Sequence, residues 1–122
     1  MLSLPAGVRI WLVAGFTDMH RGIDGLAALV QTALSSNPFS GEIFIFRGRR
    51  SDRVKFLRHD VDRMCLFHKR LHRGRFVWTH ASDGAVQLSA AQLTTLLEGI
   101  DWRRVHRGGM AEGDAPPPTL SA

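Results

Sequence analysis

The densest chemical signal in this chain is cationic. Of its 16 Lys and Arg residues, eleven fall between Arg47 and Arg75, opposed there only by Asp52, Asp60 and Asp62. That is a local excess of eight positive charges within a formal total of +5, so the rest of the chain is net acidic. Concentrated like charge costs self-repulsion in a folded domain, which points to a polyanionic partner such as DNA, RNA or an acidic protein surface. The plainer alternative is a solvated, Arg-rich strand face. Side chains alternate along an extended strand, so Arg53 and Lys55 should project together while Val54 and Phe56 turn toward a core. Arg47 and Arg49 repeat the spacing, and adjacent hairpin strands would align these cations into a stripe. The candidate nucleic-acid contacts are Arg47, Arg49, Arg50, Arg53, Lys55, Arg58, Lys69, Arg70 and Arg75. Such contacts neutralise phosphates and make binding fall with salt. No aromatic-stacking motif or zinc-finger spacing supports reading of bases.

Other constellations are weaker. His59-Asp60-Val61-Asp62 with Cys65, His68 and His72 contains metal-ligand types, yet aspartates in a tight hairpin turn have a backbone role. His68 and His72, four apart on or after a strand, are not brought together as they would be on a helix. The reading is therefore turn carboxylates, with no metal and no cofactor. Cys65 between Met64 and Leu66 reads as packing, and Gly22 with Gly25 forms no phosphate-binding fingerprint. With no nucleophile motif, the expectation is a protein that is not an enzyme. The polar connection Thr17-Asp18-Met19-His20-Arg21 has two readings. Thr17-Asp18 would cap a helix, or Thr17, Asp18, His20 and Arg21 would form a partner-binding loop.

The elements that must carry these residues follow from the apolar pattern. Val8 to Val13 is β-branched and aromatic, a first buried strand. Ile23, Leu26, Ala27, Val30, Ala33 and Leu34 recur at helical spacing until Ser35-Ser36-Asn37-Pro38 stops them. Extended runs over 42–47, 53–59, 63–71, 75–79 and 85–88 are joined by short turns, which predicts an antiparallel meander. Ser89 and Gln92 make a capping box with Leu88 and Leu93 at the staple positions. Leu93, Leu96, Leu97 and Ile100 form the stripe of a second helix, with Trp102 joining the contact. About three in four of the tryptophans and phenylalanines are expected in the core. The expected fold is α+β, an antiparallel meander of five to six short strands with two amphipathic helices packed on it.

At 122 residues and 44% apolar content there is room for one core. Residues 1–107 are expected to form it, and 108–122, with Gly108-Gly109 and Pro116-Pro117-Pro118, to be a disordered tail. The single cysteine and the absence of a signal peptide or long apolar span predict a cytoplasmic protein with no membrane contact. Oligomeric state is not legible.

Several blocks, in order, resemble one known family. They are Val8-Arg9-Ile10-Trp11-Leu12, Thr17-Asp18-Met19, Gly22-Ile23-Asp24-Gly25-Leu26, Pro38-Phe39-Ser40-Gly41 and Phe46-Arg47-Gly48-Arg49-Arg50. Asp52-Arg53-Val54-Lys55, Cys65-Leu66-Phe67, Lys69-Arg70-Leu71, Gly74-Arg75-Phe76-Val77-Trp78 and Leu96-Leu97-Glu98-Gly99-Ile100-Asp101-Trp102 continue the pattern. The chain resembles the TnpB accessory proteins of the IS-sixty-six type of bacterial insertion sequence, a family distinct from the RNA-guided nucleases that share that label. The resemblance implies a non-catalytic protein encoded beside the transposase and needed for efficient transposition. The transposase of the same element would be a partner and DNA a second one. A protein-interaction module that binds the transposase without nucleic acid, by a sheet edge or the 17–21 loop, is the other reading. This chain departs from the family near Asp60: Arg58-His59 replace aromatics, Val61 and Arg63 stand where glycines are common, and Thr79 replaces a proline. The lost glycines should alter the hairpin turn.

Overall fold

The computed structural model describes residues 7–78, 84–104 and 120–121. Strand β1 (Ile10–Val13) leads to helix α1 (Ile23–Ala33), then to β2 (Ile43–Arg47), β3 (Arg53–Asp60) and β4 (Arg63–Arg70). Strand β5 (Ala85–Leu88), helix α2 (Ala90–Leu97), a 3-10 turn (Trp102–Arg104) and a two-residue strand β6 (Leu120–Ser121) complete the order. The sheet runs β4-β3-β2-β1-β5-β6.

The α+β class holds, but the sheet is mixed and not an antiparallel meander. β1 and β2 pair in parallel, Ile10 beside Ile43 and Leu12 beside Ile45. Parallel neighbours need a crossover, and α1 is that crossover. Ile43, Phe44, Ile45 and Phe46 are all buried, as befits a strand covered on both faces. β2, β3 and β4 do form successive antiparallel hairpins. The fifth expected run, 75–79, is not a strand over its described residues, 75–78, and β5 instead pairs antiparallel with β1, Ile10 beside Leu88. Most of the expected tail lies outside the described residues, and Leu120 and Ser121 pair with β5.

Two cores result. On one face Ile10, Leu12, Ile43, Ile45, Val54 and Phe56 pack with Leu93 and Leu96 of α2 and with Phe76, Trp78 and Trp102. On the other, Val13, Phe44, Phe46 and Leu57 pack with Leu26 and Val30 of α1. The buried indoles keep their N–H groups bonded, Trp78 to the Val13 carbonyl at 3.0 Å and Trp102 to the Val77 carbonyl at 2.8 Å.

Helix α2 starts as its sequence dictates. The Gln92 N–H donates to Ser89 Oγ at 3.1 Å and the Ser89 N–H to Gln92 Oε1 at 2.9 Å. Gly99 follows it at φ 76°, a left-handed stop that glycine adopts without steric cost, and Ile100 beyond it is 56% exposed and not part of the stripe. Helix α1 is not capped by Thr17-Asp18. Its N-cap is Gly22, with no side-chain hydrogen bond, and only Asp24 in the first turn complements the helix dipole. Its C-terminal end is closed by the Ser36 N–H donating to the Val30 carbonyl at 3.1 Å, with Ser35 at φ 50°.

Candidate nucleic-acid interface

Strand registers sort the cations. Arg47 lies beside Val54 and therefore on the α2 face, whereas Arg53 and Lys55 lie on the α1 face. The expected stripe of Arg47 with Arg53 and Lys55 does not form. Instead Arg53 sits directly across from Arg70, and Lys55 from His68. Lys69, opposite Val54, is on the α2 face. Arg58 stands opposite Ile43 and Cys65, at the far end of the sheet, where it lines a second cleft with Arg9 and Glu42. Its Nε is buried with no hydrogen-bond partner among the described residues.

The near end of the sheet is organised by the turn between β2 and β3. Ser51 adopts φ 60°, and its N–H donates to the Gly48 carbonyl at 3.0 Å. The segment leaving β4 returns to this turn: the Leu71 N–H donates to the Asp52 carbonyl at 2.8 Å and the Phe76 N–H to the Ser51 carbonyl at 2.7 Å. Exposed Arg75 is thereby held beside the turn that carries Arg49 and Arg50.

Lys55 and Arg47 have structural duties. Lys55 is only 8% exposed, and its ammonium donates to the Met19 carbonyl at 2.6 Å and the Arg21 carbonyl at 3.0 Å. It pins the 17–21 loop to the sheet and leaves the set of surface cations. Arg47 is half-buried, donating through Nε to the Gly15 carbonyl at 3.3 Å and through a terminal nitrogen to Ser51 Oγ at 3.2 Å. Its guanidinium lies 4.5 Å from the centre of the Phe16 ring and 5.4 Å from that of Trp78. Burial holds its pKa below the usual arginine value.

The loop is held further by packing and backbone bonds. The Thr17 N–H donates to the Arg47 carbonyl at 2.8 Å. Asp18 accepts from the His20 N–H at 2.9 Å, and that bond, foremost, lowers its pKa. The His20 ring nitrogen Nδ1 lies 2.9 Å from the same carboxylate oxygen. Met19 packs so closely on Gly48 that a Cβ there would stand 2.7 Å from Met19 Cγ, so any larger residue would force the Met19 side chain to shift.

The two candidate sets read from the sequence thus meet. The 16–20 segment forms one wall of a cleft of about 540 Å³, and Gly48, Arg49, Arg50, Asp52 and Arg53 form the other. Arg21 stands at the loop's end and donates to the Gly25 carbonyl at 3.4 Å. Arg49, Arg50, Arg53 and Arg70 are exposed and form no ion pair among the described residues. The residue sequence reasoning missed is Phe16. Grouped with the core aromatics, it is 54% exposed in the cleft, with the Arg49 guanidinium 5.4 Å from its ring centre. Its position between Gly15 and Thr17, outside any apolar period, was the available signal.

Among the described residues no three His, Cys, Asp or Glu side chains gather. Cys65 is exposed rather than packed, and by register it lies on the opposite face from His68. The Asp60–Arg63 turn joins β3 to β4. Val61 occupies φ 56° and is 90% exposed, a β-branched residue where glycine would relieve the backbone.

No helix among the described residues is long and apolar enough to cross a membrane. No solved structure matches the chain. It is 51% identical over 102 residues to the uncharacterized protein y4hO of Sinorhizobium fredii (strain NBRC 101917 / NGR234), covering 82% of this chain and 89% of that protein. A second protein of that strain, the uncharacterized y4jC, is 38% identical over 107 residues, covering 88% and 92%. The family model described as IS66 Orf2-like protein matches residues 8–107, the span that holds both cores and the cleft, and the chain therefore belongs to the IS66 Orf2-like, or TnpB, family of insertion-sequence accessory proteins.

Proposed function

We propose that this protein acts in transposition by binding DNA, alone or together with the transposase, through the cationic end of its sheet. The observation that carries the reading is the pairing of Arg53 with Arg70 directly across two strands, beside Arg49 and Arg50, with no carboxylate bonded to any of them among the described residues. Like charges placed opposite one another on a sheet cost stability, and an external polyanion offsets that cost. Phosphate contacts from Arg49, Arg50, Arg53, Arg70 and Arg75 would fix the protein on its target without reading sequence. Lys55 supports the site by holding its loop. The chemistry of strand cleavage and joining then rests with the transposase. The test is binding to element-end DNA across a salt series, for the wild type and for Arg49, Arg53 and Arg70 each replaced by Ala. Affinity that falls with salt and with each replacement is expected. No binding with or without transposase, or affinity indifferent to salt and to all three replacements, overturns the proposal.

One observation favours a second reading. Among the described residues β4 is an edge strand eight residues long, paired with β3 alone, and it carries Phe67 at 45% exposure. An extended segment of a transposase could add to that edge by main-chain hydrogen bonds. Copurification with transposase that survives neutralisation of the arginines, in the absence of DNA binding, would favour this version.

A further inference from the structure

The cleft is not built for phosphate alone. It is lined by two aspartates, Asp18 and Asp52, as well as by Arg49, Arg50 and Arg53, and by Phe16, which is half exposed. A site for a bare phosphate gains nothing from carboxylates, which repel it, and nothing from an aromatic ring. A nucleotide has uses for all three. Its base presents a flat face to stack on an aromatic ring and exocyclic N–H groups that a carboxylate accepts, while its phosphates meet arginine. A base inside a duplex offers no face for stacking, because its neighbours cover both sides. The ring that would stack is also prepared: Arg47, anchored to the Gly15 carbonyl and Ser51, lies 4.5 Å from the Phe16 ring centre, the Arg49 guanidinium lies 5.4 Å from it, and the residue is still 54% exposed.

We infer that the 16–20 and 48–53 cleft takes an unpaired nucleobase of single-stranded DNA, stacked on Phe16, with the flanking phosphates on Arg49, Arg50 and Arg53. The inference rests on the DNA-binding reading above and narrows it to strands that are open, at element ends or in transposition intermediates. Volume is consistent, since about 540 Å³ lies within the range of clefts that accept ligands of nucleotide size.

The experiment compares three fluorescein-labelled probes of equal phosphate count by anisotropy: a single strand, the same strand with its central bases removed to abasic sites, and a hairpin duplex. The intact single strand should bind tightest. Phe16→Ala should weaken it by roughly 5- to 150-fold, the loss of stacking for one base, and leave duplex binding and its salt slope unchanged. Phe16→Tyr should retain single-strand affinity, and thermal melting of both variants shows that each is folded. Equal affinity for the intact and abasic strands, or a folded Phe16→Ala that binds the single strand as wild type does, overturns the inference. Preference for the duplex overturns it while leaving the DNA-binding reading in place. Binding to none of the three probes overturns both.

Discussion

Lys55 separates charge that holds the protein together from charge that meets a ligand, and replacing it with Met tests the distinction. The methionine keeps most of the apolar stem and removes the two hydrogen bonds to the Met19 and Arg21 carbonyls. Each bond from a charged donor contributes about 1.5–3 kcal/mol, offset in part because the ammonium no longer has to leave water. A net loss of about 2 kcal/mol follows, which in a domain of this size lowers the melting midpoint by roughly 5–10 °C. DNA affinity should also fall, because the 17–21 loop is released from the cleft. The salt dependence should not change. A lysine only 8% exposed, with its ammonium bonded to two carbonyls, neutralises no phosphate, so the slope of log K against log salt stays at its wild-type value. Arg49→Ala, by contrast, should reduce that slope by about 0.7–0.9, one phosphate contact, with little effect on melting. Thermal denaturation and a salt titration of both variants suffice. A Lys55→Met protein that melts like wild type, or whose slope drops as far as that of Arg49→Ala, would show that the ammonium reaches the ligand and refute the reasoning.

Three further expectations follow from single residues. Val61→Gly removes a left-handed β-branched residue costing about 1–2 kcal/mol, against about 0.5–1 kcal/mol of added chain entropy, so the midpoint should rise by a few degrees in thermal melting. Arg70→Glu replaces a like-charged cross-strand pair with an opposite one; stability should rise by about 0.2–1 kcal/mol in urea unfolding while DNA affinity falls. His68 has its pKa lowered by burial and then by Lys55, Arg53 and Arg70. A depressed histidine pKa means that the unfolded chain takes up the proton first. Stability is therefore unaffected above the unfolded value near 6.5 and declines as pH falls below it. His68→Gln should lose less stability than wild type between pH 7 and about 5.5, measured by melting at each pH.

Local signals in the sequence carried through to the structure where short-range physics decides. The capping box of Ser89 and Gln92, the stop after Leu34 and the hairpins from β2 to β4 are each set within a few residues. The parallel pairing of β1 with β2 is not, because an extended apolar strand reads the same whichever neighbour it acquires. The run over 75–79 reads as extended because turn residues bound it, yet over its described residues Phe76 and Trp78 fill a core, the Phe76 N–H donates to the Ser51 carbonyl and the Val77 carbonyl accepts from the Trp102 indole. The candidate site followed the same division. Charge composition found the basic end of the sheet. Which cations stay exposed depends on contacts 34 and 36 residues apart for Lys55, and alternation alone could not report those. Phe16 was hidden for a related reason, since exposure of an aromatic in a loop is decided by what packs over it.

The place of β1 in the sheet has a bearing on synthesis. One side of β1 pairs with β2, but its other side waits for β5, whose Ala85 lies opposite Val13. At about 5–20 residues per second the ribosome needs roughly 4–15 s to make the intervening chain, and during that interval an apolar strand presents unpaired N–H and C=O groups. The hairpins from β2 to β4 can form in the meantime, so the nascent domain holds most of its sheet with a sticky central edge. A product ending at Trp78 would be arrested in that state and should pellet by self-association where the full chain stays in the supernatant. On this view the late arrival of β5 is what closes the open side of β1.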